Sequence, residues 1–114
     1  MKRQTPERLQ DMLDFAEKIQ HRTPRDRKAF EADEVLQTAL LHWIENLGEA
    51  ANGVDREIQR KHPGVPWRQM IAMRNRITHG YFDLDLNTVW NVVDREIPKL
   101  LPQIRAILAS VEGE

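Results

Sequence analysis

The longest apolar pattern in the chain constrains its fold most. Between Ala29 and Asn52, apolar residues recur at intervals of three and four, which places them on one side of an α-helix. The stripe is broad enough to bury against more than one neighbouring helix. Gly53 follows it as a natural helix stop. We therefore predict one long helix over about 29–52, with an apolar stripe formed by Val35, Leu36, Ala39, Leu40, Trp43, Ile44, Leu47, Ala50 and Ala51.

The same periodicity predicts helices along the rest of the chain. Thr5 is expected to cap the first helix, with Pro6 in its first turn. Pro98 must end or kink the last helix, because proline lacks the N–H donor and clashes with the preceding turn. The predicted elements are helices at about 6–20, 29–52, 55–61 and 67–79, a turn rich in capping residues at 83–87, and a helical stripe from 88 to about 110.

These elements predict an all-α protein. No stretch shows the alternation of a half-buried strand, and 114 residues suffice for a single domain, with a core over about 5–110. Four or five helices with short joints favour an up-and-down bundle. The apolar surface of the long helix and of the carboxy-terminal segment is generous for so small a monomer. We therefore expect a two-fold homodimer.

Composition excludes several classes of function. The chain has no cysteine, hence no disulfide scaffold and no thiolate zinc site. No apolar run approaches the roughly 18 residues of a membrane span, and no apolar segment follows Lys2 and Arg3 as in a signal peptide. We expect a cytoplasmic protein without a membrane partner. His42 and Glu45 do not form the repeated pattern of a di-iron bundle, and there is no glycine-rich phosphate loop. Neither metal nor cofactor is expected.

Charge is distributed unevenly along the chain. The net charge of −1 argues against a protein that coats nucleic acid by bulk electrostatics. Residues 31–50, however, contain five acidic residues and no lysine or arginine, whereas residues 56–80 contain six basic residues against Glu57 alone. A basic segment suits a site that handles phosphate. A solvated basic helix face explains the charge equally well.

One end of the 67–79 helix concentrates reactive side chains. Arg74 lies at the centre of a face otherwise made of apolar residues, so its charge must pair, reach an edge or face a cleft. His79 follows five residues later, with four residues between the two, and then come Gly80 as a helix stop and Tyr81 just beyond it. An arginine and a histidine on a helix are more often structural than catalytic. The complete string of residues changes that balance.

The string Arg-Asn-x-x-x-His-x-Tyr, formed here by Arg74, Asn75, His79 and Tyr81, resembles the signature of HEPN domains, helical proteins many of which are metal-independent ribonucleases. The residues that fill this motif are most similar to those of the HepT-type toxins of toxin–antitoxin pairs. Further stretches resemble the same family in the same order, and the resemblance covers about residues 5–110. These stretches are Leu47-Gly48-Glu49-Ala50-Ala51, Val65-Pro66-Trp67 and Thr88-Val89-Trp90.

The resemblance implies that Arg74 and His79 form the catalytic pair, with two copies of the chain meeting in a cleft at the dimer interface. An imidazole can transfer protons near neutral pH, and a guanidinium binds two phosphate oxygens at once. Asn75 would orient the imidazole or bind phosphate, and Arg76 would support phosphate binding. Cleavage of RNA would leave a 2′,3′-cyclic phosphate and a 5′-hydroxyl.

The resemblance also implies that Tyr81 is the position at which a partner nucleotidyltransferase antitoxin attaches AMP. Such bulky, negatively charged groups would occupy the phosphate site and repel RNA. Without the resemblance, Tyr81 is simply a packed aromatic residue. A non-catalytic HEPN module that binds beside a minimal nucleotidyltransferase is the main alternative function, and a purely structural dimerisation bundle is the weaker one.

Gly48 interrupts the long helix at a cost of about 1 kcal/mol relative to alanine. Two explanations are open. Either another backbone approaches closely at this point, for example across a subunit interface, or the glycine is merely tolerated.

Overall fold

A computed structural model of the protein describes residues 4–80 and 85–113. The protein is all-α, as predicted, and the described residues contain no strand. None of the described helices combines the length and apolar character needed to cross a membrane. The elements are α1 (Thr5–Arg22), α2 (Arg27–Glu31), α3 (Glu34–Asn52), α4 (Arg56–Lys61), α5 (Trp67–Thr78), α6 (Leu86–Asn91), a π-helical turn (Val92–Glu96) and α7 (Ile97–Glu112).

Helix α3 lies at the centre of the fold. It packs against α1 on one side and α5 on the other, and α7 covers α1. Most of the apolar residues predicted from the sequence form one continuous core at these contacts. Its fully buried members come from four helices, the α3–α4 junction and the π-helical turn, and they include Leu9, Met12, Ile19, Phe30, Leu40, Val54, Val93, Ile97 and Ile104. Val35, which the sequence placed in the stripe of α3, is 80% exposed, so its assignment to the buried face was wrong.

The first helix begins differently from the prediction. Thr5 is the first helical residue rather than the cap; Gln4 precedes the helix and makes no capping side-chain bond. The side chain of Thr5 is fully buried, and its Oγ1 accepts a hydrogen bond from the backbone N–H of Asp55 at 3.1 Å. The predicted cap was wrong because the hydroxyl satisfies a buried backbone donor at the α3–α4 junction instead. That bond joins the amino terminus of α1 to the residue that precedes α4.

The predicted helix over 29–52 is divided in two. Helix α2 ends at Glu31 and α3 begins at Glu34. Asp33 caps the second helix, since its Oδ1 accepts from the N–H of Leu36 at 3.0 Å. Gln37 stabilises the break by donating from Nε2 to the carbonyl oxygens of Phe30 and Glu31, at 2.9 and 3.0 Å. The periodicity of apolar residues continued across the break and concealed it.

The carboxy-terminal elements form one helical run whose pitch changes. The N–H of Ile97 donates to the carbonyl of Val92, five residues earlier, as in a π-helix. Pro98 lies in the first turn of α7, immediately after this turn. The predicted interruption is therefore confirmed as a change of pitch, and the chain remains helical. Pro102 is accommodated inside α7.

The apolar stripe of α7 is buried within the chain, mostly against α1. The surplus of apolar surface that motivated the predicted dimer is therefore smaller than the sequence indicated. The residues of α7 that are buried in this way are Leu100, Leu101, Ile104, Ile107, Leu108 and Val111.

Helix α6 is capped and attached to α2. Asp85 Oδ1 accepts from the N–H of Thr88 at 2.7 Å, which confirms one capping residue of the predicted turn; Asp83 and Leu84 lie outside the described residues. This N–H is the largest cause of the lowered pKa of Asp85, followed by the Thr88 hydroxyl. Arg27 donates from Nη2 to Asn87 Oδ1, which links α2 to the first turn of α6.

Candidate active site

Two polar contacts fix α5 against α3. Arg74 Nη2 lies 2.6 Å from Glu49 Oε2, and Thr78 Oγ1 donates to Glu45 Oε2 at 2.6 Å. Four residues forward on α5 correspond to four residues backward on α3, so the two helices run antiparallel. Because residues four apart share one face of a helix, the two contacts lie about one turn apart along the same seam.

Gly48 allows this close packing. A β-carbon at residue 48 would lie 2.5 Å from the Cβ of Arg74 and 2.6 Å from the carbonyl oxygen of Met70. Of the two explanations offered by the sequence, close approach of another backbone is correct, and the backbone that approaches is α5 of the same chain. Because Gly48 has no side chain, Arg74 can pack close to the backbone of α3.

The guanidinium of Arg74 is paired on two sides. Besides the ion pair with Glu49, its Nη1 donates to Asn75 Oδ1 at 2.8 Å. The side chain of Arg74 keeps 28% of its surface exposed. Within the described residues, Nε–H and one hydrogen on each terminal nitrogen have no partner. These hydrogens are available to the oxygens of an anion, so Arg74 both pairs and reaches an edge, as its position on the helix required.

His79 follows the last turn of α5. Its backbone N–H donates to the carbonyl of Asn75 at 3.0 Å, and its side chain is exposed. Gly80 then ends the helix with φ 70°, a left-handed conformation that favours glycine. The predicted stop is thus confirmed. Tyr81 lies outside the described residues.

The helical geometry separates the directions of the two predicted catalytic side chains. Five residues of α-helix cover about 7.5 Å along the axis and about 140° around it. Arg74 therefore faces the α3 seam while His79 projects from another side of the helix end. A phosphate that contacts both side chains must lie over the carboxy-terminal end of α5. Arg76 is exposed near Asp85, and its charge contributes, after the hydrogen bonds from Thr88 and Asn87, to the lowered pKa of that residue.

Glu45 and Glu49 were missed by the sequence analysis as members of this site. Their signal was present in the charge pattern, because they belong to the acidic segment 31–50 and have the same spacing of four as Arg74 and Thr78. Their pairing with the basic segment depends on the antiparallel packing of α3 and α5, which the sequence does not specify.

Among residues 4–80 and 85–113, no three histidine, aspartate or glutamate side chains come together in a way that could hold a metal ion. The ionisable side chains near the carboxy-terminal end of α5 include Arg74, Arg76 and His79, with Glu45 and Glu49 from α3 beside them. Such a set can bind a phosphate and move a proton.

Comparison with known proteins finds one family model, described as ribonuclease HepT-like, that matches residues 12–107. A protein of Thermococcus cleftensis named probable ribonuclease HepT is 34% identical over 101 residues, which cover 88% of this chain and 92% of the relative. A protein of Caldanaerobacter subterraneus, named as a candidate RNase, is 35% identical over 79 residues. These residues cover 69% of this chain and 70% of the relative. A similarly named protein of Methanocaldococcus jannaschii is 28% identical over 107 residues, which cover 93% of this chain and 88% of the relative. No solved structure matches significantly.

Proposed function

The chain belongs to the HepT-like ribonuclease family, and from that premise we propose that it is a metal-independent RNA endonuclease in which Arg74 and His79 carry out cleavage. The observation that carries the proposal is the anchored guanidinium of Arg74. Glu49 and Asn75 hold it at the exposed end of α5, with three N–H groups unpartnered among the described residues. A fixed fork of donors suits a phosphate whose negative charge grows in the transition state.

The proposed reaction is an internal phosphoryl transfer. The 2′-oxygen of a ribose attacks the adjacent phosphorus, and the bond from phosphorus to the 5′-oxygen of the next nucleotide breaks. A base takes the proton of the 2′-hydroxyl and an acid protonates the departing 5′-oxygen. His79 can serve in one of these roles and the His79 of a second copy in the other. Arg74 stabilises the phosphorane oxygens between them.

A two-fold dimer follows from this mechanism, and we propose it as the active form. Among partly exposed apolar side chains, Leu41 on α3 with Ile71 and Ile77 on α5 lie on the helices that carry the site. A second copy covering them would enclose the end of α5 and exclude water from the reacting phosphate. Sedimentation velocity tests the dimer, and a protein that cleaves RNA as a monomer would refute it.

We further propose that the protein acts in the cytoplasm as the toxin of a toxin–antitoxin pair, and that a partner nucleotidyltransferase neutralises it by nucleotidylating Tyr81. Tyr81 follows His79 by two residues, so an added nucleotide would bring negative charge to the end of α5. Co-expression with a nucleotidyltransferase should increase the mass of the wild-type chain by adenylyl groups and leave Tyr81→Phe unmodified. Adenylyl groups on Tyr81→Phe would place the modification elsewhere.

The experiment that tests the nuclease proposal compares wild type, Arg74→Ala and His79→Ala, first expressed alone in a bacterial host and then purified with RNA and a chelator. We expect growth arrest and RNA fragments ending in a cyclic phosphate for wild type only. His21→Ala and Arg105→Ala are matched controls, since both residues are exposed and remote in sequence from the site.

Intact RNA with wild-type protein, in cells and in the tube, would contradict the nuclease proposal. If that protein still bound RNA or a nucleotide through Arg74, the non-catalytic binding module would take its place.

A further inference from the structure

A second site of positive charge lies at the opposite end of α5 from Arg74. An open groove of about 840 Å³ is formed by α4, by the connecting residues 62–66 and by the first turn of α5. The charged side chains that line it are Arg56, Arg60 and Arg68, and no acidic residue is found among its described lining. We call it the arginine groove.

Within residues 4–80 and 85–113, no carboxylate forms an ion pair with the arginines of this groove. Arg60 and Arg68 make no ion pair or side-chain hydrogen bond with the described residues. Arg56 contacts only neutral amides there, Asn52 Oδ1 at 3.4 Å and Gln59 Oε1 at 3.2 Å. This differs from Arg74, which is paired with Glu49. Three guanidinium groups that have no carboxylate partner in the described part of the chain attract polyanions, and an anion that neutralises them stabilises them.

The walls of the groove are held in place by hydrogen bonds. Trp67 Nε1 donates to the carbonyl of His62 at 3.0 Å, and Gln103 Nε2 on α7 donates to the carbonyl of Gly64 at 3.0 Å. Val65 and Trp67 are buried beneath the surface. The groove is therefore formed before any ligand arrives, and binding requires little ordering of the backbone.

One exposed face of α5 connects the groove with the proposed active site. Arg68, Ala72, Asn75 and His79 are all exposed, and their spacing of four, three and four puts them on one side of the helix. From Arg68 to His79 the helix covers about 16 Å. No acidic side chain occurs on α5. A strand that lies along this face passes from the arginine groove to the end of α5.

We propose that the arginine groove binds the sugar-phosphate backbone of the RNA strand beside the cleaved bond. This inference rests on the proposed ribonuclease function and adds a path for the strand along α5. Guanidinium groups recognise phosphate oxygens in any sequence, so the groove supplies affinity and register rather than base specificity.

The test measures binding of a single-stranded RNA oligonucleotide in the non-cleaving His79→Ala background. Arg60→Ala/Arg68→Ala is compared with Arg25→Ala/Arg105→Ala, which removes two exposed arginines that do not line the groove. The groove variant should bind about tenfold or more weakly at low salt. The slope of log affinity against log salt should fall by about 1.4, since each phosphate contact with a single strand contributes about 0.7. The control should match its parent.

Equal affinity and equal salt slope for groove variant and control, with both folded by circular dichroism, would overturn the proposal. A short substrate distinguishes failure of the groove proposal from failure of the nuclease proposal. In the background with His79 intact, the groove variant should cleave a dinucleoside monophosphate like wild type and long RNA more slowly. If wild-type protein cleaves neither, the nuclease proposal fails, while the binding comparison still decides the groove.

Discussion

Gly48 of α3 packs directly against the Cβ of Arg74 on α5. A methyl group on residue 48 would come within 2.5 Å of the Arg74 Cβ, and within 2.6 Å of the Met70 carbonyl oxygen. Real β-carbons do not approach other atoms so closely, so any side chain here must push the helices apart. The position of Arg74 against α3 therefore depends on the lack of a β-carbon at Gly48.

Gly48→Ala should lower both stability and activity. Alanine improves helix propensity by about 1 kcal/mol. Overpacking typically costs about 1–3 kcal/mol, so we expect a net loss of up to about 2 kcal/mol in the free energy of unfolding. RNA cleavage should fall because Arg74 is displaced from Glu49. Urea unfolding and a cleavage assay measure both effects.

Gly113→Ala is the control for Gly48→Ala, since a β-carbon there meets nothing closer than the Ala109 carbonyl at 3.4 Å. It should change neither quantity measurably. A Gly48→Ala protein more stable than wild type, with full activity, would contradict the close packing of α3 and α5.

Glu49→Gln should strengthen RNA binding. The substitution keeps an oxygen that can accept from Arg74 but removes the negative charge that competes with phosphate. Since both partners are partly exposed, at 28% for Arg74 and 46% for Glu49, we expect a change of a few-fold, as for a surface ion pair. Filter binding in the His79→Ala background measures it. Glu45→Gln, whose partner is the Thr78 hydroxyl, is the matched control and should change binding less.

If Glu49→Gln instead weakened binding as strongly as Arg74→Ala, the main effect of the Glu49 charge would be to orient the guanidinium. The competition described above would then be refuted.

Phe30→Ala should destabilise the fold by about 3–5 kcal/mol, the usual cost of removing a large aromatic residue from a core. The ring is fully buried and contacts the Trp90 ring in a tilted arrangement with centroids 5.2 Å apart, so it joins α2 to α6. Thermal or urea unfolding measures the loss. Val35→Ala on α3, where the side chain is 80% exposed, should stay within about 0.5 kcal/mol of wild type. A loss below 1 kcal/mol for Phe30→Ala would contradict the packing of α2.

Asp85 should make stability depend on acid pH. The N–H of Thr88 is the first of the causes that hold the pKa of Asp85 below its ordinary value of 3.8. A group whose pKa is lower in the folded protein stabilises it above the unfolded-state pKa, and this contribution is lost as the pH falls through the folded-state pKa. Asp85→Ala should therefore be less stable than wild type at neutral pH, and the difference should shrink below pH 3.8.

Asp85→Asn separates titration from capping, because asparagine caps helices without ionising. Its stability should show less acid dependence than that of wild type in urea titrations. If wild type and Asp85→Asn lost stability in parallel on acidification, the titration of Asp85 would play no part.

Helical periodicity predicted most of the fold. The all-α class and the helices over 6–20, 55–61 and 67–79 depend on local patterns of apolar and breaking residues, which the tertiary structure left intact. The failures lay where a side chain had two possible partners. Thr5 bonded to Asp55 instead of capping its own helix, and Asp33 began a second helix inside a continuous stripe.

The candidate site was predictable on one helix only. Arg74, Asn75 and His79 are close in sequence, so helical geometry was enough to bring them to one end of α5. Glu49 reaches Arg74 and Glu45 reaches Thr78 through the antiparallel register of α3 and α5, a long-range property that no local pattern encodes. The arginine groove was visible as a basic segment, but its walls depend on a hydrogen bond from α7.

The π-helical turn at 92–96 makes the number of residues between α6 and α7 critical. A π-turn inserts one extra residue, which changes the rotational phase of everything beyond it by about 100°. Helix α6 can thus turn Trp90 towards Phe30 of α2 while α7 turns its apolar stripe towards α1. Deleting a single residue here would leave a regular helix of better hydrogen-bond geometry that presents the wrong side to the core. The tolerance of this segment to substitution should therefore far exceed its tolerance to changes of length.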